Sequence, residues 1–335
     1  MQIVNLSPFA AEYLVLLDRH GAETLVVVVK GTYDIKNGAV RLHDRQEKIR
    51  WADEYNGEPG ISSIKYAGEG ALFKPATDII LRGSARPSRK NTNQVDVQLR
   101  LGKLQKTVTV FGDRHWKRVF GFLRISTPEP FEKVPLVYER AFGGVDASVP
   151  ERAESEARNP VGVGFRARKS HQAVVGTPLP NLENPACRIS NCNQRPGPAC
   201  LSSISPHWQP RLSHAGTFDE AWQQTRSPLL PEDFAPMFHQ TAPADQIYTG
   251  YVVGGEPGEV LNASPSGRLV FTLPIVRVRV MAKIASEFRD LEMRLDTVVI
   301  DGDDERLLLT WRGSISVHGT IYDVEWIRVS VEGLS

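Results

Sequence analysis

The sequence predicts a mainly β protein: sandwich-like antiparallel sheets built from the N- and C-terminal segments, with a loop-rich central segment that contains a few short helices. Three observations lead there. Short runs of Val, Leu and Ile, several with period-two alternation, crowd the two ends of the chain. Glycine (27 residues) and proline (23) are frequent enough to imply many turns and few long helices. The middle is punctuated by proline and shows few strand patterns. The regions therefore divide at 1–145, 146–244 and 245–335, within a chain that reads as one unit.

Residues 12–18 (EYLVLLD) and 24–30 (TLVVVVK) have the length and composition of strands covered on both faces. Residues 32–36 and 39–42 flank Asn37-Gly38, a strong hairpin signal because a type I′ turn needs positive φ at both central positions. Val95, Val97, Leu99 and Leu101 alternate with Asp96, Gln98 and Arg100, a half-buried strand that Gly102-Lys103 turns toward residues 107–111. In the central region, residues 217–226 read as a helix. Thr217 is its N-cap, Glu220 completes a capping box, and Ser227-Pro228 ends it. Further on, Val276, Val278 and Val280 alternate with arginines. Residues 294–300 and 306–311 flank the acidic stretch Asp301, Gly302, Asp303, Asp304 and Glu305, which reads as the solvated tip of a hairpin. Ile327, Val329 and Val331 mark a last alternating strand.

Composition narrows the function classes. Among 335 residues, 40 Lys and Arg face 39 Asp and Glu, a net charge of +1. A general nucleic-acid binder would draw its affinity from excess positive charge, so none is expected as partner. No apolar run approaches the roughly 20 residues of a membrane span, and the first basic residue is Arg19, so neither membrane association nor a secretory signal is expected. Three cysteines are too few, and odd in number, for a disulfide framework; the expected compartment is a reducing cytoplasm.

Few residues cluster as reactive chemistry requires. Cys187, Cys192 and Cys200 follow C-x4-C-x7-C, with His171 and His207 nearby; three thiolates and an imidazole would complete a zinc tetrahedron, although the spacing differs from the tight pairs of common zinc modules. Residues 162–167 match G-x-G-x-x-A, but Asn159-Pro160 precedes them where a dinucleotide site needs a strand. Residues 111–122 (FGDRHWKRVFGF) interleave Arg114, Trp116, Lys117 and Arg118 in the manner of a single-strand clamp; amphipathic packing at a strand end and turn is the simpler reading. The histidines His43, His115, His214, His239 and His318 are scattered, beside no nucleophile and acid in a familiar local pattern. An enzyme, hydrolase-like, would have to gather groups such as His207, Asp219, Glu232 and Asp233 around a pocket in the central loops.

Residues 206–222 (PHWQPRLSHAGTFDEAW) and 228–234 (PLLPEDF) resemble blocks of the bacterial family called domain of unknown function 2169, adaptors associated with type VI secretion. So do residues 30–33 (KGTY), 77–83 (TDIILRG), 110–116 (VFGDRHW), 135–144 (PLVYERAFGG), 159–164 (NPVGVG), 179–184 (LPNLEN), 295–301 (LDTVVID) and 309–312 (LTWR). The blocks fall in order over nearly the whole chain. The resemblance implies a non-enzymatic cytoplasmic adaptor or chaperone without cofactor or metal. Its partner would be a type VI effector, held through or near a PAAR or PAAR-like domain for loading onto the VgrG spike. It supplies no catalytic residues. The anchor types in its most recognisable block are Trp208, Arg211, Phe218 and Trp222, with Phe218 and Trp222 four apart on one helix face. A zinc-stabilised binding module and the enzyme above are the competing readings.

Overall fold

The computed structural model describes residues 2–149, 151–317 and 320–333; His318 lies outside them. The strand Glu23–Lys36 runs through a six-stranded sheet. Its run of Leu25 and four valines is wholly buried over residues 25–29, with a packed layer against each face. The sheet order is Ala10–Leu17, Glu23–Lys36, Arg306–Ser316, Arg294–Asp301 and Asp78–Arg82, with Ala39–Leu42 also paired to Glu23–Lys36. Asp78–Arg82 runs parallel to Arg294–Asp301; the other pairs are antiparallel.

Two expectations about this sheet need correction. Residues 12–18 fall in the edge strand Ala10–Leu17, where side chains are half-buried or exposed rather than covered on both faces. Residues 24–30 and 32–36 form one continuous strand, because Gly31 marks a close approach rather than a turn: a Cβ there would meet the Tyr33 ring at 2.9 Å and the Phe9 ring at 3.1 Å. The Asn37-Gly38 turn is as the sequence predicts, with φ of 53° and 82°.

A second, antiparallel sheet has the order Leu182–Glu183, Leu104–Phe111, Gln94–Leu101, Pro257–Leu261 and Arg268–Thr272. A third has the order Gln2–Asn5, Val324–Glu332, Arg277–Ile284 and Glu287–Leu291, its first pair parallel. One hydrophobic core joins all three. Leu25, Val27 and Val29 enter it from the first sheet, Val97, Leu99 and Leu101 from the second, and Val278, Val280, Ile327 and Val329 from the third. The fold is mainly β and sandwich-like, and strands from the two ends of the chain share each sheet.

The central region wraps this core with two-residue strands, 3-10 turns at Arg211–His214 and Pro236–His239, and the short α-helix Glu220–Thr225. The helix starts later than Thr217. Asp219 is the N-cap, its carboxylate accepting from the Trp222 amide at 2.8 Å. Thr217 instead donates its amide and hydroxyl to Asp233. Both residues are good caps; the carboxylate of Asp233 takes Thr217 out of the contest.

Candidate functional site

Period-two alternation splits the six-stranded sheet. Odd-numbered residues of its central strand enter the shared core, while Val26 and Val28 face the other way, against Ile49 and Leu72. On that second face four polar side chains stand in one cross-strand row: Lys30 opposite Thr310, Thr310 opposite Thr297, and Thr297 opposite Asp78. Buried polar groups are costly unless bonded, and the chain crossing over them provides the partners. Glu69 accepts from Lys30 Nζ at 2.9 Å and from the Thr310 hydroxyl at 2.8 Å. Lys74 Nζ donates to the Thr297 hydroxyl at 2.9 Å and pairs with Asp78 at 2.8 Å. Asp78 also accepts from Gln240 Nε2 at 2.7 Å and the Thr241 amide at 2.8 Å. Arg312, beside the row, pairs with Asp296 at 2.6 Å and donates to the main-chain carbonyls of Glu69 and Ala71.

The electrostatics follow from this burial. Desolvation pushes the Lys30 ammonium below its ordinary value, with Glu69 pulling it back up. His239 is pushed down to about 4, first by burial and then by Arg312, Arg211 and Lys74, so its imidazole is neutral at pH 7. A cavity of about 30 Å³ remains between row and cover, lined by Lys30, Arg50, Glu69, Lys74, Thr310 and Arg312; that is room for one or two waters. Chemically the row is a clamp: it fixes the cover to the sheet by paired charges and hydrogen bonds.

Within the acidic stretch 301–305, Asp301 and Asp303 are held by cations while Asp304 is exposed. Asp301 is buried against Arg82, and Asp303 pairs with Arg86 and Lys133, each at 3.2 Å. A run of carboxylates reads as solvated in sequence, but here three cations from other segments converge on it.

The four predicted anchors divide in two. Trp208 is 4% exposed and packs edge-on against Tyr138 at 5.4 Å. Arg211 donates to the main-chain carbonyls of Phe238 at 2.7 Å and Ile204 at 2.9 Å. These two tie the central loops together from within, as a large aromatic and a five-donor guanidinium do when carbonyls surround them. Phe218 and Trp222 do meet, edge to face at 4.8 Å. Phe218 is 55% exposed, and the Trp222 indole N–H is fixed on the Leu229 carbonyl at 2.8 Å. This rigid pair stands at the surface.

The other sequence candidates fall elsewhere. Cys187 is exposed, Cys192 half-buried and Cys200 buried beside the Leu136 carbonyl; among the described residues no group of three or more His, Cys, Asp or Glu is placed to hold a metal ion. Asp219 caps the helix, Asp233 binds Thr217, Glu232 lies 3.8 Å from Arg226, and none of these or His207 lines the cavity on the sheet. Val163–Gly164 bridges to Phe142–Gly143 with no helix after it. Of the clamp-like stretch, Arg114 is buried against Glu183 and 3.7 Å over the Phe111 ring, and Trp116 is buried too, so neither can stack on a base.

Sequence reasoning missed the polar row. A signal was present: Lys30, Asp78, Thr297, Thr310 and Arg312 each interrupt or end an apolar run, within residues 30–33, 77–83, 295–301 and 309–312.

A family model described as "Uncharacterized protein conserved in bacteria (DUF2169)" matches residues 20–312. No curated protein and no solved structure matches the chain. No helix among the described residues is long and apolar enough to cross a membrane.

Proposed function

Since the chain belongs to the DUF2169 family, we propose that it is a non-enzymatic adaptor that binds a type VI effector, through or near a PAAR or PAAR-like domain, and assists its loading onto the VgrG spike in the bacterial cytoplasm. The observation that carries the reading is the ordered series of blocks resembling such adaptors, within a family match that spans residues 20–312. The structure is compatible with it in physical terms. An adaptor must hold a client and later release it, which suits a few rigid aromatic anchors on a polar surface better than a broad apolar interface. The Phe218–Trp222 pair is such an anchor, locked by its own hydrogen bond and carried on loops that Arg211 ties together and Asp78 of the polar row holds to the sheet.

Co-expression with the proteins encoded beside the gene, followed by affinity purification and size-exclusion chromatography, tests this. A co-eluting complex with a PAAR-bearing neighbour, and less soluble effector when this chain is omitted, is the expected result. Absence of a complex at concentrations well above micromolar would overturn it.

A further inference from the structure

The stretch 111–122 contains a feature that neither the core nor the clamp explains. Trp116–Val119 and Phe122–Ile125 form a two-stranded hairpin, with Trp116 opposite Ile125, Lys117 opposite Arg124, Arg118 opposite Leu123 and Val119 opposite Phe122. Directly opposed residues share a face. One face is rooted: Trp116, Leu123 and Ile125 pack into a small second core with Phe142, Phe165, Leu179 and Ile189. The other face carries Lys117, Arg124, Val119 and Phe122, and it points away from that core.

Three choices in this hairpin work against its own stability. Phe120 occupies the first turn position at φ 48°, followed by Gly121 at φ 83°; such a turn favours Asn, Asp or Gly there, and a bulky residue in the left-handed region is an outlier. Lys117 and Arg124 are like charges directly opposed, which destabilises a strand pair. Phe120 and Phe122 are 96% and 67% exposed. Residues 116–125 contain no Asp or Glu, and Lys117, Arg118 and Arg124 have no ion-pair partner among the described residues. Sequences that break local rules without a folding gain do so at functional sites.

We infer that this hairpin is a docking probe: Phe120 and Phe122 insert into an apolar pocket of a partner protein whose rim is acidic, and Lys117 and Arg124, on the same face as Phe122, pair with that rim. The assignment rests on the adaptor reading for the identity of the partner, the PAAR-bearing effector, and adds the surface and its chemistry. Charge complementarity selects an acidic rim, because Lys117 and Arg124 stand beside Phe122 on the free face without an ion-pair partner among the described residues. A protein pocket is favoured over an anionic membrane because the positive charge stops at three side chains on a chain whose net charge is +1, and adsorption to lipid needs a more extended basic surface.

The test uses the full chain and the purified PAAR-bearing effector that the co-expression experiment identifies, with affinity measured by calorimetry. Phe120→Ser/Phe122→Ser and Lys117→Glu/Arg124→Glu are compared with wild type. Phe120, Phe122 and Arg124 are exposed and Lys117 is half-buried, and unchanged circular dichroism checks the fold. The expected result is an affinity about 30-fold or more weaker for the first variant, and about tenfold weaker with a lost salt dependence for the second. In parallel, 4-fluorophenylalanine at positions 120 and 122 reports by ¹⁹F NMR whether both rings leave water on binding. Wild-type binding that both variants retain, with unshifted fluorine signals, overturns the docking probe and leaves the adaptor reading standing. Wild type that binds no effector overturns the adaptor reading and this partner with it. Phe120- and Phe122-dependent binding to vesicles of 70:30 phosphatidylcholine and phosphatidylglycerol, with effector affinity unchanged, replaces the protein pocket by a lipid surface and refutes the assignment.

Discussion

Replacing Asp78 by Asn should destabilise the fold by about 3–5 kcal/mol, the usual cost of removing one partner from a buried ion pair. Lys74 and Asp78 are both almost fully buried and 2.8 Å apart. Asparagine keeps the shape and one acceptor oxygen, so part of the bonding to Gln240 and the Thr241 amide survives. What cannot survive is the compensation of the Lys74 charge, which the Thr297 hydroxyl alone would then face. Against a total stability of about 5–15 kcal/mol this is a large fraction. Lys74→Met in the Asp78→Asn background removes the orphaned charge, so the double variant should recover about 2 kcal/mol relative to Asp78→Asn alone, a coupling expected only of groups in contact. Urea denaturation gives both numbers, provided the m-value is unchanged. A loss below about 1 kcal/mol for Asp78→Asn, or strict additivity in the double variant, would refute the account of the row as a clamp.

Three further outcomes are expected. The folded-state value of His239, about 4, lies below its ordinary 6.5, so the unfolded chain binds the proton first as pH falls; the stability held above pH 6.5 is lost on the way to pH 4, by up to about 3 kcal/mol, and the pH profile of His239→Gln measured by urea denaturation should be flatter across that window. Trp208→Ala should cost about 3–5 kcal/mol, whereas Phe218→Ser should leave the melting temperature nearly unchanged and weaken the effector complex; equal effects on stability would contradict the inside and outside placement of the two aromatics. With a thiol reagent, Cys187 should react fast, Cys192 more slowly and Cys200 only on unfolding, and a chelator should leave these rates unchanged; protection of all three that a chelator relieves would revive a zinc site.

Much of the β framework was legible because alternation and turn chemistry are local. The pattern of Val95, Val97, Leu99 and Leu101, the Asn37-Gly38 turn and the turn at Gly102 each sit within a few residues of what they determine. The polar row was not legible, since a lysine or threonine at the end of an apolar run looks the same whether it meets water or a carboxylate. What decides is the register among four strands widely separated in the chain, together with Glu69 and Lys74 arriving from a loop. The same reason explains why Asp301 was misjudged as solvated and Trp208 as an outward anchor: their surroundings come from distant segments. At the helix start the difficulty was different, because Thr217 and Asp219 are equally good local caps and Asp233 chose between them.

The order of strands in the central sheet carries a consequence for synthesis. Glu23–Lys36 leaves the ribosome about 270 residues ahead of Arg306–Ser316, the strand that covers its inner edge. At about 5–20 residues per second, the valine-rich run waits some tens of seconds with one edge open. Over residues 25–29 that run is uncharged, aliphatic and free of proline, the composition that pairs readily with copies of itself. Lys30 follows immediately, fully charged while the chain is unfolded, and Gly31 comes after it. The ammonium that later seats between Glu69 and the sheet thus serves first as a gatekeeper, keeping nascent chains apart until the closing strand arrives.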